Sequence, residues 1–69
     1  MRRTTWWFAI EDEDSELDGE EFFVEVYEAM DRAKAEALRI AKENFPDVNL
    51  ECYGRVSYAT AEMMGLDTY

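Results

Sequence analysis

Thr4-Thr5-Trp6-Trp7-Phe8-Ala9-Ile10-Glu11 is the stretch on which the fold turns. It holds three of the chain's ten aromatic residues and carries no charge before Glu11. Alternation sends Trp6, Phe8 and Ile10 to one side and Trp7, Ala9 and Glu11 to the other, the period of a strand. The residues that follow are of another kind: eight of the eleven from Glu11 to Glu21 are acidic. Asp12 to Gly19 reads as a connection, with Gly19 free to take a positive φ at its end. Glu20 to Glu28 resumes the alternation, Phe22, Val24 and Val26 against Phe23, Glu25 and Tyr27. The two strands therefore form a hairpin with a long loop.

Beyond the hairpin, Met30 to Asn44 predicts a helix, with Asp31 as N-cap or first-turn acid and Pro46 past its end. Ala33, Ala37, Ile40 and Ala41 form a narrow apolar stripe, widened by Met30, Leu38 and Phe45, and the alanines let the helix lie close to a sheet. Glu28–Arg32 and Arg39–Glu43 are opposite charges at i,i+4 on its outer side. Val48 to Arg55 predicts a third strand. Ser57 caps a short helix, Tyr58 to Met64, that Gly65 ends, and Leu66 to Tyr69 is a tail. The expected fold is α+β: a three-stranded antiparallel sheet, β-β-α-β in order 2-1-3, packed on one helix, with a short C-terminal helix. Residues 1–69 make one domain, near the size at which a core buries only about 60% of the unfolded surface.

The formal net charge is −10. Between Thr4 and Asp31 there are eleven acids and no base, whereas the remainder is nearly balanced. Such a potential repels nucleic acid, anionic membranes and acidic substrates, so none of the three is an expected ligand. Cys52 is the only cysteine, which leaves no intramolecular disulfide and fits a reducing cytoplasm. Met1-Arg2-Arg3 before Trp6 to Ile10 has the outline of a signal peptide. The apolar run is too short for one, so no targeting segment is expected.

Catalysis is not expected. There is no histidine, and Cys52 falls on the predicted inner face without a base beside it. No cofactor is implied. Asp14, Glu16, Asp18, Gly19 and Glu25 have the spacing of a calcium loop, which makes weak divalent binding through Asp14–Glu25 an alternative. Glu16 and Glu21 depart from that pattern, and strand rather than helix follows.

A three-stranded sheet with one main helix leaves a second face, which carries Trp7, Phe23, Tyr27 and Tyr53 interleaved with Glu11, Glu25 and Glu51. If Tyr58, Met63, Met64 and Leu66 fold over it, those rings form a second small core and the acidic loop only solubilises. If they do not, it is an interaction surface, with aromatic anchors and a carboxylate rim that steers toward a basic partner. The candidate contact residues are Trp7, Glu11, Asp12, Glu13, Asp14, Glu16, Asp18, Glu20, Glu21, Phe23, Glu25, Tyr27, Glu51 and Tyr53. An aromatic sheet face resembles those that stack RNA bases, but Lys and Arg surround those rings and Glu surrounds these. Homodimerisation through the same face fits equally well.

In its size, its acidity, the plan of Thr4 to Arg55 and the acidic run Glu11 to Glu21, the chain resembles small phage-encoded inhibitors. It is most similar to anti-CRISPR proteins of the type I systems, several of which imitate nucleic acid. The resemblance implies a cytoplasmic inhibitor that blocks a nucleic-acid-binding complex by occupying its basic surface. It assigns no role to any single residue.

Overall fold

The computed structural model describes all 69 residues. Strand β1, Arg2–Ile10, lies between β2, Glu21–Glu28, and β3, Leu50–Val56, and both pairings are antiparallel. Helix α1 spans Met30–Asn44 and α2 spans Tyr58–Met64. The α+β class and the strand order 2-1-3 are those expected. Strand β1 starts two residues earlier than its apolar stretch, because Arg2 and Arg3 pair with Glu28 and Tyr27 at the far end of β2. It stops at Ile10, where the Glu11 amide leaves the ladder and donates to the Asn49 carbonyl at 3.0 Å. Strand β3 runs from Leu50 to Val56 instead of Val48 to Arg55.

The core lies between one face of the sheet and α1. Trp6, Phe8, Ile10, Phe22, Val24 and Val26 meet Ala33, Ala37 and Ala41, whose spacing of four lines them up on one side of the helix. All three alanines are fully buried. Phe8 and Phe22 pair across the strands with ring centroids 5.6 Å apart. Burying such a side chain contributes roughly 1.5–3 kcal/mol. The Trp6 indole N–H would be stranded here, but it donates to Thr4 Oγ1 at 2.8 Å, which also satisfies the one buried polar side chain. Cys52 pairs opposite Phe8 and packs half-buried at the margin of this core.

Both helices begin and end where the sequence signals them. Asp31 lies in the first turn of α1, where its charge suits the positive end of the helix, and Ala29 takes the N-cap position. Ser57 caps α2, its Oγ accepting from the Thr60 amide at 3.1 Å, and Gly65 closes it with a left-handed φ of 64°. Of the two expected ion pairs on α1, Arg39 makes the one with Glu43, at 2.5 Å, and adds Glu36. Glu28 does not pair with Arg32; it accepts from the Ala29 amide at 3.2 Å.

The C-terminal residues do more than trail. From the end of β3 the chain passes over the second face of the sheet and reaches the outer edge of β2. There the Phe23 amide donates to Asp67 O at 2.8 Å, Tyr69 N to Phe23 O at 2.9 Å, and Glu25 N to Tyr69 O at 3.0 Å. This short parallel ribbon covers an edge that would otherwise offer unpaired amides. The Tyr69 ring then stands edge-on to Phe22 and Phe45, at 5.5 and 5.4 Å, and closes the end of the core.

Candidate interaction surface at the acidic end of the sheet

The loop from Glu11 to Glu20 is tied to itself. Ser15 N donates to Asp12 O, Asp18 N to Ser15 O, and Glu20 N to Leu17 O, at 3.0, 3.2 and 3.0 Å. Two of its carboxylates hold it in shape. Asp18 Oδ1 accepts from the Asp12 amide at 2.8 Å, and Asp12 accepts from the Asp14 and Asn49 amides, both at 3.1 Å. Aspartate oxygens compete well for nearby amides, which is why this residue type recurs in turns. Gly19, at φ 89°, returns the chain to β2, its N–H donating to Ile10 O at 2.8 Å. Asp12 and Asp18 are therefore scaffold, although Asp18 is exposed, and Glu13, Asp14, Glu16 and Glu20 are the loop's exposed carboxylates that accept no hydrogen bond.

Beside the loop, on the face turned away from α1, Ala9 pairs with Glu21 on one side and Glu51 on the other. Ala9 itself is buried, 3% exposed, between these two neighbours. One row further along, Trp7 pairs with Phe23 and Gly54. The register slips between Trp7 and Phe8, so Tyr53 is an extra residue in β3, and Gly54 takes a φ of 109° that glycine alone adopts freely. The bulge sets the Tyr53 ring against Trp7, edge to face, with centroids 4.8 Å apart.

Both rings are anchored by carboxylates. Trp7 Nε1 donates to Glu21 Oε1 at 2.9 Å, and the Tyr53 hydroxyl donates to Glu11 Oε1 at 3.2 Å. The Tyr53 phenol is held above its ordinary pKa. Partial burial contributes most, followed by the hydrogen bond to Glu11 and the negative charges of Glu11, Glu21 and Glu51. The result is a half-exposed aromatic pair rimmed by three carboxylates and continuous with the acidic loop. Such a surface suits a guanidinium, an ammonium or a basic groove, by charge and by the negative faces of the rings.

The other candidates fall elsewhere. Phe23 is 1% exposed, buried where the C-terminal ribbon joins β2, and cannot meet a partner. Glu25 and Tyr27 stay exposed but lie toward the opposite end of β2. At about 3.4 Å per strand residue, Tyr27 is roughly 20 Å from Glu21. Glu25 forms an ion pair with Arg3 at 3.3 Å. Glu25, the distal residue of the calcium-loop alternative, thus lies on the strand beside Arg3, and Asp12 and Asp18 accept from backbone amides. Nowhere do three carboxylate or thiol groups converge as metal ligands.

The two readings of the second face thus apply to different halves. Near Thr5 and Glu25, the segment with Tyr58, Ala61 and Leu66 lies over the sheet, with Leu66 half-buried. Tyr58 and Met63 stay outside, 78% and 88% exposed. Toward the loop, Tyr53, Glu11, Glu21 and Glu51 are exposed and Trp7 is partly so, above the buried Ala9. Ala9 and Gly54 are not among the candidate contact residues that the sequence offers. An alanine in an aromatic strand and a single glycine in another are the only traces they leave. No helix is long and apolar enough to cross a membrane. No protein-family model, curated protein or solved structure matches the chain.

Proposed function

We propose that this chain is a non-catalytic binding protein whose acidic end occupies a basic, nucleic-acid-binding surface of a partner complex and inhibits it by occupancy. It would act as the phage-encoded anti-CRISPR inhibitors that it resembles do. The observation carrying this reading is the Trp7–Tyr53 pair, rimmed by Glu11, Glu21 and Glu51 and continuous with a loop free of bases. Rings beside carboxylates offer a basic groove the two features of its natural ligand, a stacking surface and regularly placed negative charge. The ordered loop favours the same reading, because carboxylates held in place cost less to immobilise on binding than a floppy acidic tail would.

The test uses a variant that keeps the scaffold: Glu13→Gln, Asp14→Asn, Glu16→Gln and Glu20→Gln together, with Asp12 and Asp18 left intact. Partners captured from a nuclease-treated bacterial lysate are challenged with excess duplex DNA. The expected partner is displaced by DNA. Its association with the variant slows by about tenfold or more and loses most of its salt dependence, because steering depends on those charges. A partner that resists DNA and binds the variant with unchanged rate and salt slope overturns the proposal.

A further inference from the structure

The two outer edges of the sheet are finished differently. The edge of β2 is covered by Asp67 to Tyr69, whereas β3, the other outer strand, has a neighbour only in β1. Which groups β3 leaves free follows from the hydrogen bonds of β1. Ile10 turns both its amide and its carbonyl toward β2, meeting Glu20 O and Gly19 N at 2.8 Å each. Successive residues of a strand turn to opposite edges, so Ala9 turns toward β3, as does Glu11, whose amide meets Asn49 O. Ala9 lies opposite Glu51. The backbone groups of Glu51 therefore point inward, and those of Leu50 and Cys52 point out from the sheet. No backbone bond reaches β3 from anywhere but β1. Two donors and two acceptors thus stand at regular strand spacing on an open edge without proline.

The side chains along this edge determine what pairs there. On the face away from α1, Glu51 lies beside the edge and Glu11 one strand further in, roughly 10 Å from a guest strand. Arg3 shares that face but is eight strand residues from Glu11, roughly 27 Å away. Arg55, the only base of β3, lies past the bulge and opposite Trp6, on the α1 side, where its Nη1 reaches Met30 Sδ at 3.8 Å. Also on the α1 side, Leu50 and Cys52 are half-buried at the margin of the core. A matching guest strand carries bases on one side and apolar residues on the other. A second copy of the chain does not match. Antiparallel pairing through Leu50 and Cys52 would set two copies of Glu51 opposite each other, a destabilising like-charge pair between chains of net charge −10.

We propose that the β3 edge binds an extended segment of a partner protein in which basic residues alternate with apolar ones, adding a strand to the sheet. This deepens the proposed function, resting on that reading for the partner's basic character. Main-chain bonds to Leu50 and Cys52 supply affinity for any strand. A base opposite Glu51, and apolar residues beside Leu50 and Cys52, select the sequence.

The probe is a blocked peptide of alternating lysine and valine, titrated into the whole chain at low ionic strength. Amide shifts and hydrogen exchange report on it. In the free chain the Leu50 and Cys52 amides should exchange fast and the Glu51 amide slowly. The peptide should shift Leu50–Tyr53 saturably and slow exchange at Leu50 and Cys52 by about tenfold or more, whereas a glutamate–valine peptide should do neither. Leu50→Pro removes one outward amide at the first residue of a strand, where proline is tolerated, and should weaken binding by about fivefold or more. Glu51→Gln should weaken it by about two- to fivefold, the size of an exposed ion pair. Four results overturn the proposal: no saturable binding, binding without slowed exchange at Leu50 and Cys52, shifts confined to Glu13–Glu20, or undiminished affinity in both variants. Slowed exchange on raising the protein concentration alone overturns the basic guest in favour of a second copy. The loop variant that tests the proposed function leaves Leu50, Glu51 and Cys52 intact, so the two readings fail separately.

Discussion

On one face of the sheet, six apolar side chains from β1 and β2 meet a single 15-residue helix and are sealed by it. On the other face, a seven-residue helix with no buried residue of its own crosses one half, and the half beside the acidic loop is left to Trp7, Tyr53 and their carboxylates. The two faces share the same strands and the same alternation. The amount of chain left to cover each one differs. The second face teaches that a small domain leaves aromatic surface open where its supply of covering segments runs out. The rings left there keep their polar atoms satisfied by Glu21 and Glu11 in place of a second apolar layer.

The largest break in this comparison comes from the sealed face. Ala37→Asp puts a carboxylate at a fully buried position with no cation within the core. An uncompensated buried charge costs on the order of 3–5 kcal/mol, which approaches the whole stability of a domain this small. The variant should show no cooperative unfolding transition by circular dichroism. A near-native melting curve would mean that α1 does not seal this face.

The covered half of the second face gives the next largest effect, and two residues of one strand side separate it from open surface. Phe23 and Tyr27 both point away from α1, yet Phe23 is 1% exposed and Tyr27 is 64% exposed. Phe23→Ala should cost about 3 kcal/mol, as truncations of buried aromatics do. Tyr27→Ala should stay within about 0.5 kcal/mol, as exposed substitutions do. Urea denaturation of the two variants measures the contrast. Equal costs would show that the ribbon from Asp67 to Tyr69 does not bury Phe23.

Those two residues also mark how far the sequence could be read. Alternation is a strand-long signal, so it reads Trp6, Phe8, Ile10, Phe22, Val24 and Val26 onto the core face where they lie, and caps such as Ser57 and Gly65 bound α2. The separation of Phe23 from Tyr27 depends on three residues after Gly65 pairing with a distant edge, a non-local contact with no periodicity to announce it. The bulge was equally silent, since a lone Gly54 in a strand signals either a bulge or a close approach. It nevertheless decides that Tyr53 meets Trp7 and that Arg55 changes face. In the loop, Asp12 and Asp18 looked identical to their neighbours by charge. Only the folded backbone distinguishes carboxylates that hold amides from those that hold none.

The smallest effect concerns the uncovered half, and its sign can be worked out. Partial burial, the bond to Glu11 and the nearby carboxylates all favour the neutral Tyr53 phenol in the folded state, so its pKa there lies above the unfolded value of about 10. A group with a raised folded pKa contributes stability that is fully present below the unfolded pKa. That stability is lost as pH rises through the folded pKa. Stability should therefore decline above about pH 10 more steeply in the parent than in Tyr53→Phe, which has no phenol to ionise. Glu11→Gln removes a charge and weakens the acceptor, so Tyr53 should ionise at lower pH in that variant. Tyrosinate absorbance, taken as a difference against Tyr53→Phe, isolates this one phenol. If its midpoint did not move in Glu11→Gln, the carboxylate rim would not be coupled to the ring, and the two would be neighbours on an open surface without forming one site.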